Sequence, residues 1–428
     1  MPEMTTWLTI GTILLLILGV PVAVAIGLSA SFVLFWFQPV PLVAIPQLLW
    51  GAIEKYVLVA VPFFVLAGIL MEYSGVARRL VNFSKALVGW SKGGLGTVNV
   101  VASFIFAGKS GSSIADTVSI GSIMIPEMER DGYPRTYAAG ITAISSTLAV
   151  VVPPSILMVI LGAVAEISIA RLFIGGVIPG AAMGIAMIIQ NYYISAKHGY
   201  GTLTAFSFGN IGDSLRKGLW ALGTPAIIIG GIVSGRITPT EAGGAAVLYT
   251  LLIAGFIYRS LDWGVFYRTA VEAGKITGAV MFVVAASRIF TFILTFEGVP
   301  RMVASGLSGL TESPIVLLLI LNVFLLAVGM VIDASVAIIV LVPILFPVIR
   351  LFGIDPIHFG ILFVMNLGIG LVTPPFGVCM FSVCSIARIK MTELFRGSLP
   401  LYGGLLVVLL LATLFPDVVL FLPRLLFG

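Results

Sequence analysis

The chain is predicted to be an all-α polytopic membrane protein built as an inverted repeat, with two re-entrant helical hairpins and two proline-broken spans. Three observations carry this: the composition, apolar runs of bilayer length, and motifs that recur about half a chain apart. Of 428 residues, 59% are apolar and only 10% charged, with a mean hydropathy of +1.17. A soluble domain carries roughly 25% charged residues, so a water-facing coat cannot be assembled here. Disordered, collagen-like, disulfide-scaffold and nucleic-acid-binding classes are excluded on the same ground. The net charge of +5 is spread over 23 Lys and Arg with no basic block, and reads as loop charge that orients spans in a membrane. Cys379 and Cys384 lie in an apolar stretch, which argues against a disulfide or metal site.

A helix needs about 20 apolar residues to cross the hydrocarbon. From the amino terminus, the first such run is near 6–36. It lacks the basic start, short apolar core and small-residue cleavage site of a signal peptide, so it is expected to be a retained span. Further spans are expected near 56–72, 136–165, 171–195, 218–235, 239–258, 271–296, 357–387 and 398–423. No soluble domain fits between them, the longest polar link being around 196–217.

Two regions break this pattern. Residues 95–107 and 114–128 are each too short to cross, and between them lies Gly108-Lys109-Ser110-Gly111-Ser112-Ser113, too polar to continue a helix in lipid. Residues 315–328 and 333–349 repeat the arrangement around Gly329-Met330-Val331-Ile332. Both read as re-entrant hairpins, at about 95–128 and 315–349. Unpaired backbone at their tips is tolerated only in protein or against a cavity.

The two regions read as copies. Asp116 and Pro126 match Asp333 and Pro343 at an offset of 217; Pro153-Pro154 matches Pro374-Pro375 at 221; Gly75 and Arg78 match Gly298 and Arg301 at 223. The expected organisation is a first repeat over 1–217 with its polar link, a connecting span at 218–238, and a second repeat over 239–428. The link before the first hairpin carries Arg78, Arg79, Lys85 and Lys92, whereas its counterpart has Arg301 between Glu297 and Glu312. By the positive-inside rule the hairpins enter from opposite faces. Lys197, Arg216, Lys217, Arg259, Arg268, Arg388, Lys390 and Arg396 then fall inside. The amino terminus is expected inside and the carboxyl terminus outside.

Inverted repeats with paired broken elements mark secondary transporters, whose ligands sit near the midplane. A hairpin tip frees carbonyls at one half-helix end, suited to a bare Na⁺, and N–H groups at the other, suited to a carboxylate. Ser110, Ser112 and Ser113 add hydroxyls; close helix packing is the other use of such small residues. An acid at membrane depth costs roughly 2.5–3.5 kcal/mol, so Asp116 and Asp333 are candidate functional groups. They can orient a tip or hold negative potential near a cation, or simply cap the first turn. The Pro-Pro breaks free further carbonyls, near Ser145, Ser146 and Thr147 in one half and Asn366, Gly368 and Thr373 in the other. Ser155, just beyond the first break, is a candidate for contact with a substrate polar group. Lys109 either attracts an anion or snorkels. Lys275 and Arg288 are expected to pair with Glu272 or Glu297, and Glu241 to be a first-turn acid.

Enzyme readings fare poorly. Gly108-Lys109-Ser110 ends like a phosphate loop, but Ser103 stands where its first glycine belongs. Gly108-Lys109-Ser110-Gly111 also fits the G-x-S-G of intramembrane serine proteases, yet only His198 and His358 exist as partners, both near span ends. A channel does not need two mirrored hairpins.

The run from Gly108 to Asp116, with Gly121 to Pro126, Gly132-Tyr133-Pro134, Pro153-Pro154-Ser155 and Thr238-Pro239-Thr240-Glu241-Ala242, resembles the large membrane subunit of TRAP transporters, the DctM family. The resemblance covers essentially the whole chain and is nearest to the sialic acid branch. It implies a non-enzymatic, Na⁺-coupled importer of an organic acid in a bacterial inner membrane, moving by an elevator mechanism and needing no cofactor beyond the coupling ion. A small four-span membrane subunit and a soluble periplasmic binding protein are implied partners. Carried over by residue, the first Na⁺ site involves Ser103, Ser110, Ser145 and Ser146, and the second Gly329, Gly368 and Thr373. Substrate touches Ser110, Ser112 or Ser155, with Asp116 and Asp333 nearby. A self-sufficient Na⁺- or H⁺-coupled dicarboxylate carrier is the alternative.

Overall fold

The computed structural model describes residues 3–202 and 208–428, and the described residues form helices joined by turns, without strands. The side chains of Ser110 and Lys217, both singled out above, lie outside the described part. The chain opens with α1 (Glu3–Ile17), α2 (Val22–Phe37) and α3 (Ala44–Ile53), then a tight turn at Tyr56–Val59 leads into α4 (Ala60–Tyr73). Gly19 at φ 79° and Pro21 break what the apolar pattern presents as one span. The two pieces pack antiparallel, Thr12 Oγ1 lying 2.7 Å from Ser29 Oγ. Residues 6–36 are thus a helical pair, and the amino terminus changes face. Met4 N donates to Glu297 at 3.0 Å and Thr5 N at 2.5 Å, at the end of the long span opposite Arg259 and Arg268. The expectation of an inside amino terminus is corrected accordingly: hydropathy sees the run, but not the Gly-Val-Pro reversal inside it.

The amphipathic α5 (Val76–Val88) precedes the first hairpin, α6 (Gly94–Ser110) and α7 (Ser113–Arg130). The first broken span follows as α8 (Arg135–Ser145), α9 (Leu148–Val151) and α10 (Ile156–Ala165). Next come α11 (Ile169–His198), α12 (Phe208–Val233), α13 (Pro239–Leu252, prolonged by a wide turn to Ile257) and α14 (Trp263–Phe296). Part of the expected polar link is therefore the start of α12. The pattern then recurs as α15 (Val299–Ser308), the second hairpin α16 (Pro314–Gly329) and α17 (Ala334–Leu351), and the second broken span α18 (Pro356–Gly370) and α19 (Val378–Ala387). The apolar run at 398–423 is also interrupted, giving α20 (Met391–Leu414) and α21 (Asp417–Phe427). Seven helical stretches are long and apolar enough to cross a membrane among the described residues.

The structure corrects the register of the repeat. Helices α7 and α17 run over 113–130 and 334–351, an offset of 221 at both ends. Ser112 caps one and Asp333 the other, and each helix is followed by a positive-φ glycine, Gly132 and Gly353. The equivalent of Pro126 is therefore Pro347, and that of Asp333 is Ser112. Pairing Asp116 with Asp333 at 217 was one helical turn out, a slip that preserves the helix face and leaves the apolar pattern looking right.

The broken spans form the centre: Ile357–Gly370 of α18 is buried throughout, as is Leu148–Val151 of α9. On the inner side, α6, α8 and α11 are tied by the fully buried Asn191. Its Nδ2 donates to Gly93 O at 2.9 Å and Thr97 Oγ1 at 3.1 Å, and Tyr137 OH donates to its Oδ1 at 3.0 Å. Asn191→Ala strands several buried polar groups, each costing about 1–3 kcal/mol if left unpaired. A lowered melting temperature of the detergent-purified protein is expected; an unchanged one would show the network to be idle.

Candidate functional site

Two half-helix N-termini converge in the first repeat. Ser112 Oγ accepts from Ala115 N at 3.4 Å at the start of α7, and Ser155 Oγ accepts from Met158 N at 3.4 Å at the start of α10. The tip and the break touch. Ile156 N donates to Gly111 O at 3.4 Å, and a Cβ on Gly111 would stand 2.6 Å from Pro154 O and 3.2 Å from Ser155 Cα. With φ at 60°, only glycine makes this turn without strain. N-terminal N–H groups and the positive ends of two helix dipoles thus meet at one place, which favours an anion.

Below that tip is a buried hydroxyl cluster. Ser103 Oγ and Ser145 Oγ lie 3.0 Å apart, Ser145 Oγ donates to Asn99 Oδ1 at 3.2 Å, and Ser113 Oγ donates to Ser146 O at 2.8 Å. Ser145, Ser146 and Thr147 return their hydroxyls to carbonyls three residues back. Hydroxyl and carbonyl oxygens with little else suit a hard monovalent cation. Asp116 is fully buried beside this cluster, and neither of its carboxylate oxygens has a hydrogen-bond partner among the described residues. Lys109 does not snorkel: it is 1% exposed, and its Nζ lies 3.5 Å over the Phe106 ring.

The second repeat carries the mirror of the tip contact, Phe376 N donating to Met330 O at 3.2 Å. Gly329 packs on Gly370 so closely that a Cβ on Gly370 would lie 2.4 Å from the Gly329 carbonyl carbon. Gly368 lies against Val150 of the first broken span, so the two breaks abut. Thr373 Oγ1 donates to Ile369 O at 2.6 Å. Gly329, Gly368 and Thr373 are thus gathered around one junction. Asp333 is different: it is exposed, and its Oδ1 accepts from Ser335 N at 2.9 Å and Val336 N at 3.4 Å. It does not join Asp116. Its carboxylate occupies the N–H groups that the first tip leaves to a hydroxyl, so an anion is favoured at the first tip over the second.

Sequence reasoning missed Asn99 and Asn322. Each links the first helix of a hairpin to its broken span, Asn99 through Ser145 and Thr142, and Asn322 through Asn366 Nδ2 at 2.8 Å. A lone Asn inside a short apolar helix was the available signal. The pairings expected for Lys275 and Arg288 do not form among the described residues. Glu272 accepts from Tyr73 OH at 3.0 Å and Glu297 holds the amino-terminal turn. Glu241 does cap its helix, with Thr238 N donating to its Oε2 at 2.7 Å.

Residues 9–418 match the family model described as "Tripartite ATP-independent periplasmic transporter, DctM component". The chain is 40% identical over 400 residues to the C4-dicarboxylate TRAP transporter large permease protein DctM of Pseudomonas aeruginosa, covering 94% of each. It is 39% identical over 414 residues to the sialic acid TRAP transporter large permease protein SiaM of Vibrio cholerae, covering 97% of each. Among solved structures, the Alcanivorax borkumensis YdaH transporter has the same fold, with a TM-score of 0.60, 13% identity, and coverage of 86% of this chain and 87% of that one.

Proposed function

The chain belongs to the DctM component family of tripartite ATP-independent periplasmic transporters, and from that premise we propose that it imports an organic acid, sialic acid, by Na⁺ symport. As a large permease subunit it is a multi-pass membrane protein and not an enzyme. We place it in a bacterial inner membrane, beside a small four-span subunit and served by a soluble periplasmic binding protein. Relatives of similar identity are named for C4-dicarboxylates, sialic acid, 2,3-diketo-L-gulonate and isethionate; all are organic anions, and all but the sulfonate isethionate are carboxylates.

The observation that carries this reading is the doubled tip contact, Gly111 with Ile156 and Met330 with Phe376. Each hairpin is bonded to its own break, so tips and broken spans form one body that can move as a unit. In an elevator scheme α6–α10 and α16–α19 travel against a scaffold of the other helices. Ser103, Ser145 and Ser146, with Ser110 as the sequence assigns it, hold the first Na⁺. Gly329, Gly368 and Thr373 hold the second. The substrate carboxylate sits at Ser112 and Ser155, Asp116 supplies negative potential to the first cation, and Asp333 orients the second tip.

The energetics fit such coupling. About 150 mV yields roughly 3.5 kcal/mol per net charge moved inward, and two cations with one monocarboxylate move one such charge. The test is uptake of labelled sialic acid into proteoliposomes under an inward Na⁺ gradient, with and without the two partners. Uptake requiring Na⁺ and both partners is expected. Uptake of labelled succinate in place of sialic acid would change the substrate, and uptake by this chain alone would make it a self-sufficient carrier.

A further inference from the structure

On the face where α10 and α17 end, a crevice of about 350 Å³ runs between the second hairpin and the scaffold. Its apolar floor is Ile339, Val342 and Phe346 of α17, which lead toward the tip at Asp333. Its rim holds three cations, Lys55, Arg288 and Arg350, and one acid, Glu166. Lys55 Nζ lies 2.6 Å from Glu166 Oε1. Arg288 and Arg350 are exposed and form no ion pair among the described residues. The face is the outer one by the charge rule, since the basic α5 link lies at the other end of α4.

We propose that this crevice is a waiting site for a carboxylate on its way to the tips, in which Glu166 stands where the acid's carboxylate rests on Lys55. The inference rests on the import reading above. Glu166 is 72% exposed at its side chain, so it can leave Lys55 at small cost. Its carboxyl is nonetheless held below the usual carboxylate range, first by the Lys55 hydrogen bond and charge, then by Arg288 and Arg350. All three cations therefore act on one point, and a carboxylate placed there meets the same field. A cavity of this size takes a small acid, and its floor is the outer half of the hairpin helix whose inner end is the tip. An incoming carboxylate that displaces Glu166 also releases the only described bridge between Lys55, on the scaffold, and the end of α10, on the body expected to move.

Two explanations differ in sign. If Lys55–Glu166 were merely a strut, removing either partner would act alike. A waiting site instead predicts opposite effects, because Glu166 competes with substrate. The experiment uses the complete three-component system in zwitterionic liposomes, with labelled sialic acid as probe and the loaded binding protein varied. Neutralising Lys55, Arg288 and Arg350 together (each to Gln) is expected to raise half-saturation about tenfold, at about threefold or less per exposed charge. Glu166→Gln is expected to lower it about twofold. Arg424→Gln, which removes a cation paired with Asp417 on the same face, is expected to change nothing. Equal loss in the triple and Glu166 variants would make the bridge a strut and overturn the proposal. So would no change in either, or an effect seen only in a parallel set of liposomes containing anionic lipid, which would make the crevice a headgroup site. Failure of the unmodified system to import sialic acid would strike the import reading first; labelled succinate then serves as the probe.

Discussion

Gly370→Val is expected to cut Na⁺-driven uptake about tenfold or more and to lower the melting temperature of the purified protein. A Cβ at residue 370 would lie 2.4 Å from the carbonyl carbon of Gly329, 2.6 Å from its Cα and 2.6 Å from its oxygen. All three are backbone atoms, so no side-chain rotation relieves the clash. The tip of the second hairpin has to retreat from α18, and the Phe376 N to Met330 O bond at 3.2 Å goes with it. Overpacking of this kind costs about 1–3 kcal/mol, enough to strain the tip away from the break even with the Asn322–Asn366 link intact. Gly184→Ala is the matched control: its Cβ meets only Phe104, at an ordinary 3.6 Å. Normal uptake by the Gly370 variant would show that the Gly329–Gly370 contact does not hold the tip.

How much of this was legible beforehand depends on the length scale of the signal. Helices are written in runs of ten or more residues: α6 with α7 and α16 with α17 fall within a few residues of the runs read at 95–128 and 315–349. Register is set by four-residue distinctions that hydrophobic periodicity repeats at every turn. Asp116 and Asp333 therefore looked like a pair, although one is a buried residue in the first turn of α7 and the other a helix cap. The reversal at Gly19-Val20-Pro21 hid in the same way, because an apolar hairpin and an apolar span have one composition. The serines and glycines of the candidate site stand in the sequence as side-chain signals, and what they hold is a proposal. The site's carbonyls and N–H groups, notably Gly111 O, Met330 O and Ser146 O, carry no side-chain trace. Lys109 on Phe106 and Asn191 across three helices are tertiary facts that no local pattern announces.

The separation of the two aspartates has a consequence that uptake can measure. Asp116→Asn keeps shape and removes charge at a site that is 0% exposed, within a cluster of hydroxyls and carbonyls. In such surroundings a carboxylate acts on a neighbouring cation with little screening. The variant is expected to insert normally, to lose about tenfold or more of Na⁺-driven uptake, and to need a higher Na⁺ concentration for half-activation. Asp333→Asn is expected to stay within about twofold of the unmodified protein, because asparagine caps a helix about as well as aspartate. Asp333→Ala removes the cap, costing about 1 kcal/mol, and is expected to depress uptake about fivefold without moving the Na⁺ requirement. The three variants thus separate charge from capping. If Asp333→Asn matched Asp116→Asn in both rate and Na⁺ dependence, the carboxylate of Asp333 would act on the ion directly. If Asp116→Asn left both unchanged, Asp116 would have no part in holding the cation, and Ser103, Ser145 and Ser146 would have to do so through oxygens that carry no net charge.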